Sequence, residues 1–223
     1  MLIVPYNSII LIEKSRSQGL HKDGTVCTIL LSSILEAFLH DIYAHFHELN
    51  KDFLTENKSE NRIVRFGNDV VTNDPKDVEI MNFLQDMEKS KIDVLNKYHQ
   101  LANFLNVSWE KGDLIHQDIT TLIKIRNLLA HPKSTTLKIK DKNRIICPSS
   151  YPKVISDLIQ RKIIIDKDVR NSWIHLLDSE EYIIWARKAM ANAISKIYNS
   201  LPDTPISNIF TENYSYAIGA DKY

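Results

Sequence analysis

Residues 25–50 read "TVCTILLSSILEAFLHDIYAHFHELN", and on this stretch the fold class turns. Its apolar residues spread over most of the circumference of a helix, which marks a central, largely buried helix rather than a surface one. The expected span is Gly24–Asn50. Outward from it, the period near 3.6 recurs in most of the chain, and Gly is scarce, with 5 in 223 residues. The fold class that follows is all-α.

The polar stretch 51–73 is expected to be a long loop, with "RIVRFG" (62–67) as its one compact apolar patch. A second helix runs through 72–106, "TNDPKDVEIMNFLQDMEKSKIDVLNKYHQLANFLN", with Asn73 or Asp74 as cap, Pro75 in the first turn and acids near the start. A third is expected over Asp113–Ala130, a fourth from Ser149 or Ser150 towards Ile165, and a last over Asp168–Ser200, ending before Pro202. Between the third and fourth, "STTLKIKDKNRIIC" (134–147) alternates Leu137 and Ile139 with Lys138 and Lys140 before a polar turn, the pattern of a small β-hairpin. We therefore expect one domain over 1–223, with residues 203–223 as a loosely docked C-terminal extension.

Composition narrows the function classes. Lys plus Arg and Asp plus Glu number 28 each, so no overall field draws the chain to nucleic acid or a membrane, and any such attraction must be local. The two cysteines, Cys27 and Cys147, lie far apart and outside any CxxC or Cys/His pattern, which argues against a disulfide framework or a structural zinc and fits a reducing cytoplasm. The N-terminal "MLIVPYNSII" lacks a basic leader and is broken by Pro5 and Asn7, so it does not read as a signal peptide. No run of about 18 uncharged apolar residues occurs, so no membrane span is expected.

The third helix carries the candidate site. Ile115, Ile119, Leu122, Arg126 and Leu129 are spaced as one helix face, which puts Arg126 in an apolar seam where a guanidinium needs a partner. Thr120, Lys124, Asn127 and His131 form a separate polar stripe, with Asn127 and His131 as i, i+4 neighbours, so that the amide could orient the imidazole. Arg126 and His131 stand about 140° apart on an ideal helix, and one straight helix does not aim both at one point. Two things could bring them together. Pro132 turns His131 out of the helix, or the two side chains meet across a two-fold dimer. A structural reading stands beside the functional one, because an Arg on an apolar seam can pair with a buried acid and a His at a helix end can serve as its C-cap.

"RNLLAH" (126–131) fits the R-x4-H pattern, with Asn after the Arg, and in this it resembles the HEPN family of small helical ribonucleases and toxins; "ILLSSILEAFLHDIYAHF" (29–46) looks like that family's leading helix. The resemblance implies a HEPN-like helical bundle, here with the small hairpin inserted after the helix that bears the motif. It implies a metal-independent endoribonuclease, usually a homodimer, often a toxin with an antitoxin protein as partner or a phage-defence effector. His131 would then serve as general base or acid on the ribose 2′-OH, Arg126 would hold the phosphate, and Asn127 would orient the site. Physical chemistry supports such roles on its own terms. Imidazole titrates near neutrality, a planar guanidinium contacts two phosphate oxygens, and attack by the 2′-OH needs no metal or cofactor and leaves a cyclic phosphate. The alternative is a non-catalytic HEPN-like module that binds a nucleotide or a protein.

Supporting residues complete the expectation. Glu36, inside the most apolar helix, needs a partner, and Arg126 is the candidate. Residues 132–144 hold five basic side chains against Asp141 alone, and Lys133, Lys138 and Lys140 are the expected RNA contacts, unless the hairpin is simply solvated by its lysines. His40, His45 and His47 form no HExxH, and no metal site is expected. Trp109, Trp173 and Trp185 are expected in the core or an interface rather than as base-stacking platforms.

Overall fold

The computed structural model describes residues 6–20, 22–55, 63–66, 69–72, 74–131, 139–141, 144–145, 151–165 and 172–219. Within these, side chains are described except at 18–20, 51–55, 216–219 and in the four short strands. The protein is mostly helical, as expected. Contacts group it into two compact units. Unit 1 comprises 1–10, 34–110 and 193–223, and unit 2 comprises 11–33 and 111–192.

The long helix α2 (Gly24–Thr55) serves both units. Its start is dictated by Asp23, whose carboxylate accepts the Val26 N–H at 2.9 Å. Gly24 is required there, because a Cβ on it would lie 1.8 Å from the carbonyl oxygen of Leu177. In unit 2 the helix buries Cys27 and Leu31 together with Ile119, Leu122, Ile125, Ile155, Leu158 and Tyr182. In unit 1 it buries Ile34, Leu35, Phe38, Ile42 and Phe46 with Leu84, Tyr98, Leu101 and Phe210. By length and composition the Gly24–Asn50 portion, at a mean hydropathy of 1.5, reaches the range of a membrane-crossing helix, which the expectation of no span did not allow for. Its apolar side chains line the two cores, and 56% of that window is buried in the protein.

Several boundaries differ from expectation, each for a local reason. A first helix, α1 (Asn7–Leu20), precedes α2. The Asn7 and Ser8 N–H groups, unpaired donors at its start, are both taken up by the Asp41 carboxylate of α2 at 3.0 and 2.8 Å. The stretch expected as a loop over 51–73 contains the end of α2 and an antiparallel ribbon, β1 (Ile63–Phe66) with β2 (Asp69–Thr72), in which Phe66 faces Asp69. The single second helix is two, α3 (Pro75–Lys89) and α4 (Val94–Phe104). Asp74 caps α3 with Pro75 in its first turn, as read, but the Ser90 hydroxyl turns back onto the Met87 carbonyl at 2.5 Å and Asp93 caps the next helix through the Asn96 N–H at 3.0 Å. Side chains of this kind compete for the backbone and end helices.

In unit 2, α5 (Leu114–Ala130) runs where it was expected. Helix α6 (Lys153–Gln160) is shorter than read, starting only after Pro152 and ending where Lys162 takes a left-handed φ of 58°. Strands β3 (Ile139–Asp141) and β4 (Arg144–Ile145) pair antiparallel. The expected last helix is a 3₁₀ turn, Trp173–Asp178, followed by α7 (Glu180–Tyr198). The break is a helix start signal, in which the Ser179 hydroxyl accepts the Tyr182 N–H ahead of Glu180 and Glu181.

The residues after Pro202, expected to dock loosely, form α8 (Pro205–Gly219), whose Ile206, Phe210 and Tyr214 are fully buried in unit 1. Thr204 caps it and donates to the buried Asp77 at 2.5 Å. Phe210 and Tyr214 stack at 5.2 Å, with Phe38 and Tyr6 edge-on or tilted beside them.

Candidate functional site

Helix α5 presents its apolar side, Ile119, Leu122 and Ile125, to the core of unit 2, and this fixes where its polar residues emerge. His131 is its C-cap. Its N–H still donates to the Asn127 carbonyl at 3.1 Å, while its φ of −131° and ψ of 65° have left the helix, as the following proline requires. The His131 side chain is exposed. Arg126 is half-buried, and its Nη1 donates to Oδ1 of Asn127 at 3.1 Å. The amide expected to orient the imidazole therefore holds the guanidinium, one residue away.

Glu36, the expected partner of Arg126, is half-buried on α2. Among the described residues the buried acid of α2 is Asp41, 2% exposed. Lys133 and Lys138 lie outside the described residues; Lys140 is on β3, its side chain outside them too.

Among the described residues no three His, Cys, Asp or Glu gather to hold a metal. The histidines of α2 have other partners. His40 Nδ1 lies 2.8 Å from Glu88, His47 pairs with Glu48 at 3.3 Å, and His45 is buried between Tyr6 and the Ile206 carbonyl. That carbonyl can only accept, so Nε2 of His45 carries the proton and Nδ1 accepts from the Tyr6 hydroxyl at 2.9 Å. Burial pushes the imidazole down to about 4, against the opposing pull of the Ile206 carbonyl. Beside it the Ser8 hydroxyl bridges Asp41 and the Tyr214 hydroxyl. Burial holds the Asp41 carboxyl above the usual carboxylate range, with the Ser8 and Asn7 hydrogen bonds pulling the other way. This network belongs to the core of unit 1.

No protein-family model, curated protein or solved structure matches this chain. The site must be read from its own geometry.

One further feature, missed in the sequence, adjoins the polar stripe. A cleft of about 410 Å³ opens between α5 and α6, lined by Lys111, His116, Thr120 and Lys124 on one side and by Asp157 and Arg161 on the other. Arg161 is held in place by Asp118 of α5 at 2.5 Å and lies 5.8 Å over the ring of Trp185. Trp109 and Trp173 are buried, as expected of core residues. The signal for the cleft was present in the stripe that already joined Thr120 and Lys124 to Asn127 and His131. The fourth helix was expected too; what the sequence did not show was that it packs against this stripe of α5 with Arg161 just beyond its end.

Proposed function

We propose that the chain is a metal-independent endoribonuclease of HEPN type that cleaves RNA by attack of the 2′-OH on the adjacent phosphate. The observation that carries this reading is the Arg126 guanidinium tethered to the Asn127 amide oxygen, in the R-x4-H spacing, with an exposed His131 at the end of the same helix. A planar guanidinium steadied by an amide oxygen has the geometry that matches two phosphate oxygens. An exposed imidazole at a helix end can exchange a proton with the 2′-OH and with the leaving oxygen. The products are a cyclic phosphate and a free 5′-hydroxyl, and the reaction consumes no metal or cofactor.

In this reading the protein is a HEPN-like bundle acting in the cytoplasm as a homodimer, with paired motifs at the two-fold axis, and serves as a toxin restrained by an antitoxin protein or as a phage-defence effector. The lysines flanking His131, Lys133, Lys138 and Lys140, would hold the strand by its phosphates. The test is purified protein incubated with total RNA in EDTA beside His131→Ala, with light scattering on the same samples. Cleavage by the wild type and its loss in the variant are expected, from a dimer at micromolar concentration. Uncut RNA, or equal cutting by the variant, would replace this reading with a non-catalytic binding module.

A further inference from the structure

We infer that the cleft between α5 and α6 is a phosphate-binding subsite that holds the backbone of a single RNA strand upstream of the motif. The cleft and two residues of the motif, Asn127 and His131, share a helix face. Taking Thr120 as zero and about 100° per residue, His116, Lys124, Asn127 and His131 fall at roughly −40°, +40°, −20° and +20°, a band about 80° wide. Arg126 lies at roughly −120°, outside that band. The N–H of His131 still bonds within the helix, so its Cα keeps this register even though its ψ departs. From Lys124 to His131 the rise is about 10 Å. A strand with its reacting linkage at His131 thus passes over the cleft mouth along one straight face.

The lining has the chemistry of a phosphate site. Lys111 and Lys124 are exposed cations at the cleft, and neither has an acid within ion-pair distance among the described residues. Arg161 is oriented by Asp118 through Nη2 and backed by Trp185, which fixes the plane of the guanidinium. Asp118 offsets Arg161 and Asp157 is the one acid in the lining itself, so Lys111 and Lys124 leave the cleft with an excess of positive charge. The volume, about 410 Å³, suits a nucleotide-sized group. Contacts of this kind track the backbone and read no base. That the occupant is RNA rests on the ribonuclease reading; the cleft's preference for phosphate does not.

The experiment uses the full chain carrying His131→Ala, so that binding is measured without cleavage. A 5′-fluorescein-labelled single-stranded RNA 12-mer is titrated in EDTA across a salt series against this protein, against the same protein with Lys111→Gln and Lys124→Gln, and against a charge-matched control with Lys76→Gln and Lys91→Gln in unit 1. Equal melting temperatures of the three proteins establish that folding is unaffected. The expected result is at least a tenfold loss of affinity in the cleft variant alone, with its log K versus log salt slope shallower by about 1.4, at about 0.7 for each lost phosphate contact on a single strand. Sodium phosphate and adenosine monophosphate at matched ionic strength should leave the labelled strand bound. Unchanged affinity in the cleft variant overturns the inference, and so does displacement by either monophosphate, which would make the cleft a site for a free anion. Cleavage by the wild type with Lys111→Gln/Lys124→Gln binding normally would sink the cleft and spare the nuclease. Lys124-dependent binding without cleavage would do the reverse.

Discussion

At the scale of single residues, the Arg126–Asn127 hydrogen bond changes what each side chain is for. A charge-assisted bond of 3.1 Å costs about tenfold in rate or more when it is lost from a catalytic group. On the ribonuclease reading proposed above, Asn127→Ala should therefore lower cleavage by about that factor without abolishing it. Arg126→Lys should lose about a hundredfold or more, because an ammonium cannot span two phosphate oxygens. Single-turnover cleavage of a labelled RNA separates the two, and an Asn127→Ala protein as slow as Arg126→Lys would mean that the amide has a role beyond holding the guanidinium. The spacing in the sequence put Arg126 on a different face from Asn127 and His131, while Pro132 made the exit of His131 from the helix legible. It did not show which side chain Asn127 would hold. Helix periodicity fixes where Cα–Cβ bonds point, while a side chain as long as Arg swings through several rotamers to reach its partner.

Among the elements, α2 and α5 were legible from their apolar period and the start of α3 from its cap and proline. Gly24 shows what such a pattern omits. Nothing in "KDGTVC" announces that the chain at Leu177, more than 150 residues on, passes against this glycine. Gly24→Ala should cost about 3 kcal/mol or more in urea unfolding, since the clash is with backbone and no rotamer relieves it. A cost under about 1 kcal/mol, the ordinary penalty range of a surface change, would show that the approach relaxes freely.

Helices α3/α4 and the 3₁₀ turn/α7 were each read as one because the period continues across the break, and Ser90, Asp93 and Ser179 had to be weighed as caps rather than as tolerated polar residues. The tail after Pro202 was misjudged because α8 is polar and apolar by turns, and only its burial reveals its role. Phe210→Ala should cost about 3–5 kcal/mol. Removal of residues 205–223 should leave unit 1 with exposed apolar surface that binds a hydrophobic dye; a truncated protein with the wild-type denaturation midpoint would contradict the burial of Ile206, Phe210 and Tyr214.

For the molecule as a whole, the buried His45 makes stability depend on pH. In the folded protein it titrates at about 4, below the ordinary 6.5 of imidazole, so between those limits the unfolded chain binds a proton that the native state refuses. Stability is present above pH 6.5 and falls as pH drops towards 4, by about 3 kcal/mol in full. Asp41 acts with opposite sign, since a carboxyl raised by burial favours the native state while protonated and lowers stability as pH rises through its window. The two are separated by comparing slopes. His45→Gln, which keeps an N–H for the Ile206 carbonyl, should flatten the loss of stability between pH 6.5 and 4 in urea titrations. An unchanged slope would mean that another group carries it.

The interleaving of the two units imposes an order on biosynthesis. Unit 2, with α5, α6 and the cleft, has received its last residue at Asn192, whereas unit 1, although it contains the first residue of the chain, still awaits Ala193 onwards. At ribosomal speeds the remaining stretch takes on the order of seconds. During that interval a nascent chain holds every residue of unit 2 while Ser8 and Asp41 wait for Tyr214 to close over them, so unit 2 is complete in sequence before unit 1.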